Sequence, residues 1–366
     1  MLKTYKIQDI CMLEKGKQID TSLLDDNNPY QYINGGISAS GYYDKYNTKE
    51  NTIIVSEGGA SCGYVNFMTE KFWCGCHCYR LMEPKVKSEY LYYALKANQH
   101  GIMRLRSGCA MPNIKKSSFY NMQIKLDDNQ DNQIKVTSIL KKVTTLILKR
   151  KEQLTKIDFL VKSRFLEMFG DPILNPMGWA ISHYGDEFEI MSGGTPKTDI
   201  PEYWVNGKIS WIGSNLCQNS VLIENDGKFI TEKGLNNSSA KIFNKGYILI
   251  ALVGATIGKV AHLKFSTSTN QNIAGINVPQ NENYIPEFVF YNTQFLYPKF
   301  MDIGNSKFKM ANLSFIRSLQ IPIVPIKAQK KFSNFVEQLD KSKFRIKKSL
   351  EKLEMTYKAL LQEYFG

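Results

Sequence analysis

Cys74-Gly-Cys-His-Cys78 is the densest group of chemically competent side chains in the sequence. Three thiols and an imidazole within five residues are zinc-ligand types, and Cys62 or Cys109 could add a further sulfur. The neighbouring residues favour another role. Phe72 to Tyr79 reads as one β-strand, on which alternate side chains face opposite sides. Cys74, Cys76 and Cys78 would then share a face and His77 would point away from it. A buried free cysteine behaves as a small apolar residue, so the cluster is expected to be core, with no metal. The second candidate is Gly254-Ala-Thr-Ile-Gly-Lys-Val260, which has the look of a phosphate loop. It is one residue short, and Val260 stands where a Ser or Thr must hold the nucleotide's metal. A tight turn after an apolar strand accounts for its glycines better. The sequence contains no Asn/Asp-Pro-Pro-Tyr/Phe tetrapeptide for amino methylation, no glycine-rich loop suited to a methyl donor and no acidic–acidic–lysine nuclease cluster. These features predict a chain that is not itself an enzyme.

What positions such residues is visible in a long internal repeat. Leu154-Thr-Lys-Ile-Asp-Phe-Leu-Val-Lys-Ser-Arg-Phe-Leu-Glu-Met-Phe-Gly170 and Leu350-Glu-Lys-Leu-Glu-Met-Thr-Tyr-Lys-Ala-Leu-Leu-Gln-Glu-Tyr-Phe-Gly366 end alike, 196 positions apart, with Gln133 matching Gln329. Upstream, Gly59-Ala-Ser-Cys-Gly-Tyr-Val65 lines up with Gly254 to Val260, each after an apolar β-like run. Met111-Pro-Asn-Ile114 answers Met310-Ala-Asn-Leu313, and Tyr32-Ile-Asn-Gly35 answers Trp211-Ile-Gly-Ser214. A repeat of this period spans whole domains, so a globular unit and a long helix are used twice. Asn113 and Asn312 are expected to cap turns.

The two helical stretches carry apolar residues at 4-3 spacing. In the first these are Val136, Leu140, Val143, Ile147, Leu154, Ile157 and Val161; in the second, Val336, Leu339, Ile346, Leu350, Leu353, Tyr357 and Leu360. Such a stripe without internal Pro or Gly predicts a coiled-coil seam, each helix about 55 Å long. The only matching stripe for one helix is the other, and connectivity makes the pair antiparallel. The expected fold class is α+β: two mixed α/β domains, 1–130 and 171–325, alternating with helices 131–170 and 326–366 in a pseudo-two-fold arrangement.

Forty-seven Lys and Arg against 34 Asp and Glu leave a formal charge of +13, which suits a polyanionic partner. A 43% hydrophobic content is enough for two cores of ordinary size. Both helical stretches are basic, which fits a solvated coiled-coil surface for most of these residues or, on one side, a face that meets DNA phosphates. Seven cysteines without a disulfide-like framework fit a reducing compartment. Met1 to Ile10 has no apolar leader, and the run Tyr247 to Val253 is too short to span a bilayer, so a cytoplasmic location without membrane contact is expected.

Over its full length the chain resembles the DNA-specificity subunits of type I restriction–modification systems. The resemblance rests on Met168-Phe-Gly-Asp-Pro172 with Asn175-Pro-Met-Gly-Trp179, on Met191-Ser-Gly-Gly-Thr-Pro-Lys197 with Ile209-Ser-Trp-Ile-Gly213, and on Ile321-Pro-Ile-Val-Pro325 with Gln329. The first domain departs from this pattern: it lacks Gly-Gly-Thr-Pro, and Asp131-Asn-Gln133 replaces the Pro-rich helix start. The resemblance implies that the two globular parts are target recognition domains reading a bipartite double-stranded DNA site, with the helical pair setting the gap. It also implies methyltransferase subunits and a restriction/translocase subunit as partners. S-adenosylmethionine, ATP and Mg would sit on those partners, with no cofactor on this chain. Polar and basic loop residues then become the candidate DNA contacts: Arg104 and Arg106 in the first domain; Thr195, Lys197, Ser214, Asn215, Lys259, Lys307 and Lys309 in the second. Two other readings share parts of this pattern: the recognition subunit of a split methyltransferase outside type I, and a coiled-coil adaptor with no DNA function.

Overall fold

The computed structural model describes residues 2–108, 112–279, 283–303 and 310–366. The chain divides into two compact units, Met1–Gln153 with Ile346–Gly366, and Leu154–Arg345. Each is built from the same parts.

In unit 1, β1 (Leu2–Lys6) pairs antiparallel with β9 (Gln123–Asp127). A four-stranded sheet runs in the order β2 (Met12–Lys15), β8 (Cys78–Met82), β5 (Thr52–Ser56), β6 (Val65–Met68). A second sheet joins β4 (Gly41–Tyr43), β3 (Tyr30–Ile33) and β7 (Phe72–Cys74), with β3 and β7 parallel. β5 is central, and its β-branched Ile53, Ile54 and Val55 are buried, as a strand covered on both faces requires. Helix α1 (Ser88–Ala97) covers this sheet through Tyr90, Leu91, Ala94 and Leu95, four positions apart in two pairs.

Unit 2 repeats the plan. β10 (Ile181–His183) pairs with β20 (Gln320–Pro322). The larger sheet runs β11 (Glu189–Ser192), β19 (Ile273–Asn277), β16 (Ile248–Ala251), β17 (Val260–Leu263), β13 (Ser220–Leu222). The smaller runs β14 (Phe229–Ile230), β12 (Ile209–Ile212), β18 (Thr267–Thr269), β15 (Ile242–Phe243), with β12 and β18 parallel as their counterparts are.

Two 40-residue helices, α2 (Gln130–Phe169) and α4 (Ile326–Phe365), are each shared between the units; between them in sequence lies α3 (Pro286–Phe295), the unit 2 counterpart of α1. In unit 1, Leu140 near the start of α2 enters one core cluster with Leu361 and Phe365 near the end of α4, and Lys151 meets Glu354 at 3.0 Å. In unit 2, Phe165 and Phe169 stand edge-on to Phe332, with ring centroids 5.5 Å apart in both pairs, and Lys343 meets Asp158 at 2.5 Å. Low numbers on one helix meet high numbers on the other, so the pairing within each unit is antiparallel.

Along the stripe, Leu140, Ile147, Val161 and Val336 are buried. Val136, Val143, Leu154, Ile157, Leu339, Ile346, Leu350, Leu353, Tyr357 and Leu360 are half-buried. Near the domains the deepest residues are instead Phe165, Phe169, Leu361 and Phe365, one position off the 4-3 stripe. There each helix faces a domain core as well as its partner helix, which widens the buried stripe.

The expectation of one strand from Phe72 to Tyr79 is corrected. β7 ends at Cys74, residues 75–77 turn, and β8 begins at Cys78. Asn34 holds the turn: its Oδ1 accepts from the His77 N–H at 3.1 Å, and a Cβ on Gly75 would lie 2.3 Å from that oxygen. Cys74, Cys76 and Cys78 therefore do not share a strand face.

Candidate nucleic-acid interface

In unit 2 the backbone ties four loops together. Gly193 N–H donates to Ile273 O (3.1 Å), Gly194 N–H to Thr269 O (2.9 Å), Asn270 N–H to Ile212 O (3.1 Å) and Leu252 N–H to Asn272 O (2.8 Å). The approach is too close for side chains: a Cβ on Gly193 would sit 2.0 Å from Thr269 Oγ1. This bundle gathers most of the candidates of the second domain. Thr195 Oγ1 donates to Gln271 Oε1 at 2.5 Å, and Lys259 Nζ to Gln218 Oε1 at 3.0 Å. Ser214 is half-buried and Asn215 exposed on the loop after β12. Lys197 is exposed two residues beyond Thr195, where its carbonyl accepts from Trp204 Nε1. Lys307 and Lys309 lie outside the described residues.

Unit 1 reproduces the same bonds. Gly16 N–H donates to Cys78 O (3.2 Å), Lys17 N–H to Cys74 O (2.9 Å), Gly75 N–H to Ile33 O (2.8 Å) and Glu57 N–H to His77 O (2.8 Å). Gly16 thus does the work of Gly193, with a Cβ there 2.2 Å from Cys74 O. Gln18 takes the place of Thr195, and its Oε1 accepts from Cys76 Sγ (3.1 Å) where Thr195 meets Gln271. Gln18 Oε1 also accepts from Asn34 Nδ2 at 3.1 Å. The loops enclose a cleft of about 540 Å3 lined by Lys15, Asn34, Glu57, Ser61, His77 and Asn113. None of these was singled out in sequence for DNA. The signal was available at Gly35, which answers Ser214 in the repeat, but a single glycine in Lys15-Gly-Lys-Gln18 does not announce itself as Gly193-Gly194 does.

Of the candidates in the first domain, Arg106 is held beside this cleft by Nε donating to Cys62 O at 2.9 Å, next to Ser61. Arg104 is exposed at the end of the short helix Gln99–Arg104 and is not a cleft-lining residue.

The glycine turns match in both units. Gly59 and Gly63 have φ of 77° and 83°; Gly254 and Gly258 have 72° and 74°. They are turn glycines, and Gly254 leads through a 3-10 turn into β17 rather than into the helix that a phosphate loop opens. The segment after each helical patch closes over its turn: Gly59 N–H reaches Pro112 O at 3.0 Å, and Ala311 N–H reaches Leu252 O at 2.9 Å. Asn312 caps the helix Leu313–Ser318 through Oδ1 to Phe315 N–H (2.8 Å), while Asn113 pairs by backbone with Ser107.

Under the cleft, the Cys74 thiol donates to Gly75 O and the Cys78 thiol to Ile33 O, each at 3.7 Å, and Gly35 N–H donates to Cys78 Sγ at 3.0 Å. The interaction of the two thiols, with burial, pushes the Cys74 pKa up, while the same interaction holds that of Cys78 down. Among the described residues no group of three or more His, Cys, Asp or Glu side chains is placed to hold a metal ion. Nor, among them, is any helix long and apolar enough to cross a membrane.

The geometry defines a duplicated protein, with polar loops gathered at the same place in each unit and a pair of helix segments packed antiparallel within each. The family model for the type I restriction modification DNA specificity domain matches residues 2–157 and 176–355, and the chain belongs to that family. It is 26% identical over 374 residues to a type I specificity subunit of Mycoplasma genitalium, covering 98% of this chain and 92% of that one. It is 30% identical over 214 residues to the specificity subunit of the type I restriction enzyme MjaIX of Methanocaldococcus jannaschii, covering 57% and 49%. Two solved structures share the fold. One is a type I restriction–modification S subunit from M. genitalium (TM-score 0.60, 24% identity, 100% of this chain and 96% of that chain). The other is a chain from a study of type I complex assembly and conformational transition (TM-score 0.55, 13% identity, 99% and 97%).

Proposed function

We propose that this DNA-specificity subunit reads one half-site with each unit, through the loop bundle that includes Gln18, Asn34 and His77 in unit 1 and Thr195, Asn215 and Lys259 in unit 2. The observation that carries this is the repetition of the loop-tying bonds, Gly16 to Cys78 and Gly193 to Ile273, around side chains that differ. A conserved frame with variable donors and acceptors is what two different base sequences require, because major-groove edges are told apart by their hydrogen-bond patterns. Basic residues such as Arg106 and Lys197 supply phosphate contacts that position the duplex without reading it.

The chain acts by directing methyltransferase subunits, and a restriction/translocase subunit where one is present, to the site. S-adenosylmethionine, ATP and Mg belong to those partners, and this chain holds no catalytic residue. The missing amino-methylation tetrapeptide and the turn geometry of Gly254 and Gly258 support that division. Apolar residues on the outer surfaces of the two helices suit the docking of such partners: Leu148 and Phe159 on α2, and Phe344 and Met355 on α4.

Selection from randomised duplexes by the full chain with its methyltransferase subunits tests this reading. A two-part motif with a fixed gap, and an affinity falling steeply with salt, is the expected result. Salt-independent binding, or no enriched motif, would overturn it and favour an adaptor.

A further inference from the structure

The cleft of unit 1 holds a carboxylate that has no counterpart in unit 2. Glu57 and Leu252 occupy the same backbone position: each N–H donates to a loop carbonyl (His77 and Asn272, both 2.8 Å), and each carbonyl is capped by the closing segment (Ile114 N–H at 2.8 Å, Ala311 N–H at 2.9 Å). Leu252 is buried in the core of unit 2. The fold therefore does not need an acid at this junction. In unit 1 the acid faces the cleft and is held in place. Its Oε1 meets Lys15 Nζ at 2.5 Å and the Tyr79 hydroxyl at 3.0 Å. Its Oε2 has no hydrogen-bond partner among the described residues.

A carboxylate on a surface that meets a polyanion is repelled by phosphates, so its presence calls for a specific donor. Lys15 offsets the charge and Tyr79 fixes the rotamer, which leaves one oriented acceptor. We propose that Glu57 is a specificity-determining residue, its Oε2 accepting a hydrogen bond from the N4 amino group of a cytosine in the half-site read by unit 1. Cytosine is favoured over adenine because the adenine N6 donor stands beside the N7 acceptor, which repels a carboxylate, whereas cytosine offers a donor with no acceptor of its own beside it. This rests on the DNA-reading function proposed above.

The test is selection from randomised duplexes by the full chain with its methyltransferase subunits, comparing wild type, Glu57→Gln and Tyr79→Phe. The wild type should require cytosine at one position of the first half-site. Glu57→Gln should relax that position alone, discrimination falling about tenfold to a hundredfold, with the second half-site intact. Tyr79→Phe, which keeps the ring and removes the orienting hydroxyl, should relax the same position more weakly. Should Glu57→Gln erase the whole first half-site through misfolding, Tyr79→Phe decides: relaxation confined to one cytosine supports the assignment, an unchanged motif overturns it. Unchanged discrimination in both variants, or relaxation at a base other than cytosine, also overturns it while leaving the two-part reading standing. A wild type that selects no two-part motif defeats the broader function and this assignment together.

Discussion

Gln133 and Gln329 are buried at equivalent positions near the starts of α2 and α4, and they bond in the same way, Gln329 adding one further bond. Gln133 Oε1 accepts from Lys87 N–H at 3.4 Å, and its Nε2 donates to Asp127 O at 2.8 Å. Gln329 Oε1 accepts from Ile285 N–H at 3.1 Å, and its Nε2 donates to Val324 O and Asn283 O, each at 2.8 Å. Lys87 and Ile285 are the N-cap residues of α1 and α3, neither with a side-chain cap of its own. One amide thus satisfies a helix start and a strand end in the domain beneath, and sets the angle at which the long helix leaves it.

Replacing Gln329 by Leu should cost about 1–3 kcal/mol per polar group left buried without a partner. The expected result is a lower urea midpoint for the full chain. A midpoint within error of wild type would show that water reaches the Ile285 N–H and the Val324 carbonyl.

The helices were legible because their residues face one long neighbour each, so 4-3 spacing at Leu140, Ile147 and Val161 maps directly onto burial. Phe165 and Phe169 were less so: they also pack on Phe288 of α3, from a distant part of the chain. The turn glycines could be read, since Gly59 and Gly254 follow strands that local composition reveals. The turn at 75–77 could not, because Asn34, some forty residues earlier, closes it. Gln18 went unseen for a similar reason. Its equivalence to Thr195 lies in backbone bonds to β7 and β8, not in any shared residue type.

His262 should make stability fall on mild acidification. Burial beneath α3, with Lys264 nearby, holds its pKa down to about 4, against an opposing pull from Glu287. The unfolded chain takes up this proton below about pH 6.5, and the folded chain only near pH 4. The contribution of the neutral ring is therefore complete above pH 6.5 and is lost progressively as pH falls toward 4. Urea midpoints at pH 7.5, 6 and 5 should decline, and His262→Leu should flatten that part of the profile. A decline of equal slope in the variant would assign the effect to other groups.

Gly258 should resist substitution more than Gly246. Both have positive φ, 74° and 99°, so both carry strain with any L side chain. A Cβ at 246 meets open space, whereas one at 258 lies 2.7 Å from the Phe300 ring. Gly246→Ala should cost about 1–2 kcal/mol from strain alone. Gly258→Ala should cost about 2–5 kcal/mol, since overpacking adds to the strain. Equal losses in chemical unfolding would mean that the Phe300 ring shifts freely.

The outer surfaces of the long helices should recruit the partner subunits. Leu148 is 67% exposed and answers Phe344, also 67%; Phe159 is 72% exposed and answers Met355, at 64%. Each pair is separated by the 196-residue period that relates the two helices. Ile134, Leu146, Leu160 and Leu166 of α2 are exposed too but answer the polar Lys330, Ser342, Thr356 and Gln362, so the recurrence picks out these two pairs alone. An interface used once by each unit would keep them there, surrounded by the Lys and Arg of the same helices. Phe159→Ser with Phe344→Ser should leave the unfolding midpoint within about 0.5 kcal/mol of wild type, because both side chains already face water. Both residues lie in unit 2, so the pair should weaken binding of the methyltransferase subunit docked there about tenfold or more, as loss of aromatic anchors does, while the copy at Leu148 and Met355 of unit 1 stays intact. Full recovery of that subunit with the double variant would place the docking surface elsewhere on the chain.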